Sequence, residues 1–210
     1  MTNRLSIYNG ALLMLGSRRL SSLSENVESR RTMDDIWDGG GVDHCLEKGF
    51  WKHAMRSVML DYSPSVEPPF GYRRAFDKPT DLIKLYSICS DEFYTWPLIA
   101  YQDEGEFWFT DDDSIYVRYV SNDVAAGLDM SLWPESFTRY VEGYFAYRAV
   151  KRLTDSQMDS EVLEKQVRKL LVEAKANDAL KEPTKHTVPT SWQQARLGTE
   201  SFRRRYHPYR

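Results

Sequence analysis

The chain is 210 residues long, 41% hydrophobic and 13% aromatic, enough for one globular domain with a real core, or one with a modest insertion, and too apolar for a disordered polymer. The formal charge is −3, but residues 181–210 hold seven Lys/Arg against Glu182 and Glu200, a net +5, so residues 1–180 carry −8. An acidic body repels a polyanion such as DNA, while a basic arm seeks an acidic surface: nucleic acid, a carboxylate-rich partner, or the body itself. Cys45 and Cys89 stand far apart with no ligand spacing, which indicates neither a disulfide framework nor a zinc site and predicts two buried thiols. The first residues lack a signal-peptide pattern, and no run approaches the roughly 20 apolar residues a membrane span needs. The expectation is a protein made in cytosol-like conditions, or assembled there into something larger, without a membrane partner.

Thr2 is placed to cap a first helix whose Leu5, Tyr8, Leu12 and Leu15 recur at helical spacing, with Gly16 positioned to end it. A Ser-rich link over 17–24 leads to a second helical pattern from about Glu25 to Phe50, carrying Val27, Met33, Ile36, Trp37, Val42, Cys45 and Leu46. Gly39, Gly40 and Gly41 interrupt it. Glycine in a helix interior costs about 1 kcal/mol per residue, so a kink or break is expected there unless a neighbour requires close backbone approach.

From Phe70 the pattern changes. Pro64, Pro68, Pro69 and Pro79 punctuate extended segments, and Leu82–Cys89, Trp96–Tyr101, Glu106–Phe109 and Ile115–Val120 are rich in aromatic and branched residues. Turn-like links at 102–105 and 111–114 join them into an antiparallel meander of four or five strands. Pro134 and Glu135 open a third helix through Phe137, Val141, Tyr144, Phe145 and Leu153. Ser156 or Asp159 starts a fourth, with Leu163, Val167, Leu170, Leu171 and Ala174 on one stripe. The expected fold is mainly α with an inserted small antiparallel β-sheet, an α+β arrangement. Its segments are N-terminal bundle helices over 1–62, a β-meander over 63–130, C-terminal bundle helices over 131–182 and an extended basic, aromatic arm over 183–210.

Few constellations suggest chemistry. The glycine triplet lacks both the Lys-Ser/Thr that follows a phosphate-binding loop and the apolar strand that precedes it. Asp111, Asp112 and Asp113 resemble a cation or acid/base cluster, but adjacent turn residues point apart and no Gly and Glu follow at calcium-loop spacing, so a hairpin turn is expected. Asp43, His44 and Cys45 are residue types of hydrolytic triads, yet consecutive helical residues diverge by about 100° and cannot face one another. His53 and His186 have no partner at ligand spacing, and no GxSxG, HExxH or GxGxxG string occurs. The expectation is a protein with no catalytic residues, cofactor or metal.

The arm is different. Trp192, Arg196, Phe202, Arg203, Arg204, Arg205, Tyr206, Tyr209 and Arg210 interleave cations with aromatic rings, a mixture that suits phosphates and stacked bases, or a protein groove lined with carboxylates. A terminus of this composition buries too little apolar surface to offset an ordering entropy of roughly 1 to 2 kcal/mol per residue, so it should fray unless something tethers it. The expected tether is another protein chain, with nucleic acid as the alternative.

Several strings, in order, resemble the head-to-tail adaptors of short-tailed bacteriophages, the tail tubular protein A family. They are Ala11-Leu12-Leu13-Met14-Leu15-Gly16; Glu47-Lys48-Gly49-Phe50-Trp51-Lys52-His53-Ala54; Phe70 to Leu82, reading Phe-Gly-Tyr-Arg-Arg-Ala-Phe-Asp-Lys-Pro-Thr-Asp-Leu; Ile115 to Ser121; Trp133-Pro134-Glu135-Ser136-Phe137; and Ser191-Trp192-Gln193-Gln194-Ala195-Arg196. The resemblance implies a structural virion protein at the head-tail junction, assembled in the host cytoplasm as a homo-oligomeric ring of twelve copies. The ring would sit beneath the portal protein, followed by a distal tail or nozzle protein, with DNA passing through the lumen without sequence-specific binding. It also implies that the bundle forms the ring wall, that the sheet faces neighbouring subunits or the next tail component, and that the arm reaches the portal. Gly39 to Gly41 departs from the continuous second helix the family leads one to expect, and Arg203 to Arg210 lies beyond the similar strings. The rival expectation is a small nucleic-acid-binding module using the arm as a phosphate clamp.

Overall fold

A computed structural model of the chain describes residues 2–68, 70–94, 100–154 and 157–181, without the side chains of 157–159. The chain separates into a body, Met1–Ala179, and a C-terminal unit, Leu180–Arg210. The body is mixed α and β, with five α-helices and six strands among the described residues.

Helix α1, Arg4–Met14, starts at a capping box built on Asn3 and not on Thr2. Asn3 Oδ1 accepts the Ser6 amide at 2.8 Å and Ser6 Oγ accepts the Asn3 amide at 2.9 Å. The reciprocal pair needs a polar side chain three residues on, which Asn3 finds in Ser6 and Thr2 does not find in Leu5. The glycine triplet breaks the second helical pattern, as its composition predicts, into α2, Glu28–Asp38, and α3, Gly41–Glu47. Gly40 adopts φ +77° between them, a conformation that strains any residue with a Cβ, and a Cβ on Gly41 would lie 2.6 Å from Ile36 O and 3.2 Å from the Phe145 ring. The break thus lets backbone approach a neighbouring aromatic. Gly40→Ala is expected to cost about 1 to 2 kcal/mol in urea unfolding, and Gly40→Asn less, because Asn tolerates the left-handed region.

Helix α4, Glu135–Leu153, is capped by Pro134 and buries residues around most of its circumference, including Phe137, Tyr140, Val141, Phe145, Ala146, Ala149 and Val150. That pattern marks a central helix. Helix α5, Gln157–Ala179, sets Leu163 and Ala174 on it, and α1, α2 and α3 contribute Ile7, Leu12, Met33, Cys45 and Leu46 to the same core. Cys45 and Cys89 are both buried free thiols.

Glu142 is the exception on α4. Its carboxyl lies against Gly10 of α1, where any added Cβ would overlap it. Burial pushes its pKa up to about 7 from 4.5, helped by Glu135 and opposed by Arg139. The folded state therefore holds a proton that the unfolded chain releases between about pH 4.5 and 7, so this group lowers stability as pH rises through that window. Glu142→Gln is expected to remove that part of the pH dependence, giving a higher Tm than the parent at pH 8 and little difference at pH 4.5.

A short 3-10 turn, Lys52–Ala54, carries the chain from the helices into strand β1, Met55–Asp61. The other strands are β2, Arg74–Asp77; β3, Leu82–Cys89; β4, Gln102–Glu104; β5, Phe107–Thr110; and β6, Ser114–Ser121. They form two antiparallel three-stranded sheets, ordered β1-β6-β3 and β2-β5-β4, and not the expected meander of four or five strands. β1 begins well before Phe70, and Gln102–Glu104 is a strand whose turn falls at Gly105 and Glu106. The strand expected over Trp96–Tyr101 falls largely on residues outside the described ones. Phe76 and Trp108 from one sheet and Ile88, Ile115, Val117 and Tyr119 from the other make a second core between them. The two cores adjoin through β1 and β6, since Met55 and Val120 pack with the helices.

Candidate functional surfaces

The sequence candidates for chemistry resolve into structural contacts. Asp111 Oδ1 accepts the Arg73 amide at 3.0 Å, Asp112 accepts Thr110 Oγ1 at 3.3 Å, and Asp113 pairs with Arg74 at 2.9 Å. Asp111 and Asp113 tie the link between β5 and β6 to the segment entering β2, while Asp112 binds back onto the end of β5. The link is not the expected hairpin turn, because β5 and β6 belong to different sheets. Among the described residues no group of three or more His, Cys, Asp or Glu is placed to hold a metal ion.

Asp43, His44 and Cys45 diverge around α3. The His44 ring stacks on Tyr144 with centroids 4.7 Å apart, and burial followed by the nearby Lys48 charge holds its pKa below the ordinary value. Cys45 lies in the core, where burial pushes its thiol pKa far up and removes the thiolate that nucleophilic attack needs. His53 lies against Phe137, ring centroids 4.6 Å apart. His186 and the expected portal-docking residues Trp192, Arg196, Phe202, Arg203, Arg204, Arg205, Tyr206, Tyr209 and Arg210 lie outside the described residues.

A polar junction holds the sheets to their connecting loops. Asp81, just before β3, accepts Tyr119 Oη at 2.9 Å, Ser121 Oγ at 2.5 Å and Arg56 Nη1 at 3.0 Å, and Arg56 also reaches Asp123 at 2.7 Å. Burial works against ionising Asp81, but the hydrogen bonds from Ser121, Tyr119 and Arg56 outweigh it and hold the carboxyl below its usual pKa. The same carboxylate and burial push the Tyr119 phenol up. Each polar group here is satisfied by another, an arrangement that fixes geometry and leaves no free nucleophile or base.

One surface was not foreseen. The register places Ser57, Met59, Tyr116, Arg118, Lys84 and Ser87 on the same face of the β1-β6-β3 sheet, opposite the face that packs on Phe76 and Trp108. Met59 is 55% exposed, and Phe50 and Tyr86, each 44% exposed, meet edge to face at its margin, centroids 5.2 Å apart. Lys84 Nζ lies 4.6 Å from the Phe50 ring centroid and donates to Glu47 O at 3.1 Å. Arg118 lies 4.2 Å from the Tyr94 ring centroid, its Nε donating to Ser57 Oγ at 3.3 Å. Sequence reading missed this face because Tyr86 sits at a register shift between Leu85 and Ser87, which breaks the alternation that would have aligned it with Lys84.

No helix among the described residues is long and apolar enough to cross a membrane. No known protein-family model matches the chain, and no curated protein matches it.

Proposed function

We propose that the protein is a structural virion component, the head-to-tail adaptor of a short-tailed bacteriophage. In this reading twelve copies form a ring beneath the portal protein, a distal tail or nozzle protein follows, and the genome passes through the lumen during ejection. The reading calls for no catalytic group, cofactor or metal. Its chief support is that four of the strings resembling the adaptor family, far apart in the sequence, meet in space as two pairs. Trp51 of one string packs on Phe137 of another, ring centroids 4.8 Å apart. Asp81, one residue from the end of the Phe70 string, binds Tyr119 and Ser121 of the Ile115 string. Similar residues strewn by chance have no reason to contact one another in this way.

Charge supports the same reading. A −8 body does not grip phosphates, so packaged DNA can slide past it, while a basic arm adds specificity at a protein partner through ion pairs of modest individual strength. The test is sedimentation with the portal protein encoded by the same phage genome. Co-sedimentation is expected, with Arg203, Arg204 and Arg205 all changed to Ala weakening portal attachment. If the parent protein instead stays apart from the portal and binds duplex DNA with a steep salt dependence that those three substitutions abolish, the nucleic-acid-binding reading replaces this one.

A further inference from the structure

The excess negative charge of the body has a single address. Residues 1–54 hold seven Lys/Arg and seven Asp/Glu, residues 131–180 hold eight of each, and residues 55–130 hold six Lys/Arg against fourteen Asp/Glu, a net −8. Within this insert the acid is concentrated further, because residues 102–113 contain six Asp/Glu and no Lys/Arg. Those residues form β4, β5 and the turn after it, and β4 is an open edge whose three residues are all exposed.

Of the six cations of the insert, three are paired with carboxylates and three are not. Arg56 pairs with Asp81 and Asp123, Arg74 with Asp113, and Lys78 with Asp103. Arg73, Lys84 and Arg118 have no carboxylate salt-bridge partner among the described residues, and Lys84 and Arg118, which share one sheet face, lie instead over the Phe50 and Tyr94 rings. In a region with a surplus of carboxylates, two cations without one on a single sheet face, set beside exposed Met59, Phe50 and Tyr86, make a face of aromatic and cationic character suited to an acidic partner.

We propose that this outer face of the β1-β6-β3 sheet docks a second copy of the chain, receiving the acidic β4–β5 hairpin and following turn of that copy. Charge complementarity selects the occupant: the molecule carries both halves of the contact, on different patches. A contact between unlike patches is heterologous and propagates head to tail, closing into a ring where the rotation permits. The inference rests on the ring reading above for its biological setting, and it adds the surface that would build the ring.

The experiment is a charge swap read by sedimentation equilibrium of the full chain without portal. The parent protein is expected to self-associate, less strongly as salt rises from about 0.05 to 0.5 M. Lys84→Glu with Arg118→Glu in one variant, and Glu104→Lys with Glu106→Lys in another, should each weaken association by about 100-fold, since like charges then face one another across the contact. Mixing the two variants should restore it, because each then offers the patch the other lacks, which a misfolded variant would not do. The proposal is overturned if the parent is monomeric at all accessible concentrations, if either variant associates as the parent does, or if the mixture stays dissociated. A parent that forms rings and binds portal while both variants still assemble would sink this interface and leave the adaptor reading intact.

Discussion

Trp51→Ala is expected to lower the unfolding free energy by about 4 to 5 kcal/mol, the upper end for aromatic truncation in a core. The indole is 1% exposed and packs against Phe137 and Tyr140, with ring centroids at 4.8 and 6.3 Å. Its Nε1 donates to Cys45 O at 3.0 Å, so truncation opens a cavity and also strips a buried carbonyl near the end of α3 of its partner. Trp51 stands where α3 hands the chain to β1, and loss there should loosen the helices and the sheets together. Urea unfolding followed by tryptophan fluorescence and by far-UV circular dichroism measures this, with both signals expected to shift to the same lower midpoint. Separation of the two transitions would show that the cores unfold independently and that the hub is weaker than the packing implies.

Gly127→Ala is expected to cost about 3 kcal/mol, the top of the overpacking range. A Cβ at this position would overlap Ser121 O and come within 3.0 Å of Leu46 Cδ1. The first obstacle is backbone at the end of β6, which cannot swing aside as a side chain can. Gly127 also holds Trp133 at the start of α4, its carbonyl accepting Trp133 Nε1 at 2.8 Å. A thermal melt should show the loss, and a second substitution, Leu46→Val, should recover little of it because the backbone overlap remains.

The sequence disclosed the helices far better than the sheets, for physical reasons visible in particular residues. Helix ends are local: Gly16, the glycine triplet and Pro134 act through their own dihedral preferences, and the elements stop where those residues stand. The cap at Asn3 was missed by one residue because its strength lies in the pairing with Ser6. Strand β1 was missed because Arg56, Ser57 and Met59 are all exposed, so it lacks the apolar alternation of a half-buried strand. Its partner is β6, pairing Met55 with Val120 across most of the insert. Long-range register of that kind is set by the fold and not by neighbours in the chain. For the same reason the division into two sheets was hidden, since β2 is only four residues long and its identity depends on β5.

The candidate surfaces divide along the same line. That adjacent carboxylates at Asp111 to Asp113 take separate partners, and that Asp43, His44 and Cys45 diverge around a helix, followed from local geometry. That the Asp111 to Asp113 link joins two sheets and not one hairpin did not, because it depends on which strands pair. The aromatic and cationic face could not be read in advance, because Phe50, Lys84, Tyr86 and Arg118 come from three separate stretches and share a surface only after β3 and β6 pair. Charge was half legible: the imbalance between body and arm is plain in the composition, while its concentration on the β4–β5 hairpin acquires meaning only beside the cations left without carboxylates on the other sheet.

Electron cryomicroscopy of the protein mixed with its portal tests the central claim most directly. The account predicts a closed ring of twelve copies seated on one end of the portal, with the lumen open along the common axis. Particles showing bare portal and a separate monomer, at concentrations where the protein is folded and in excess, would contradict it.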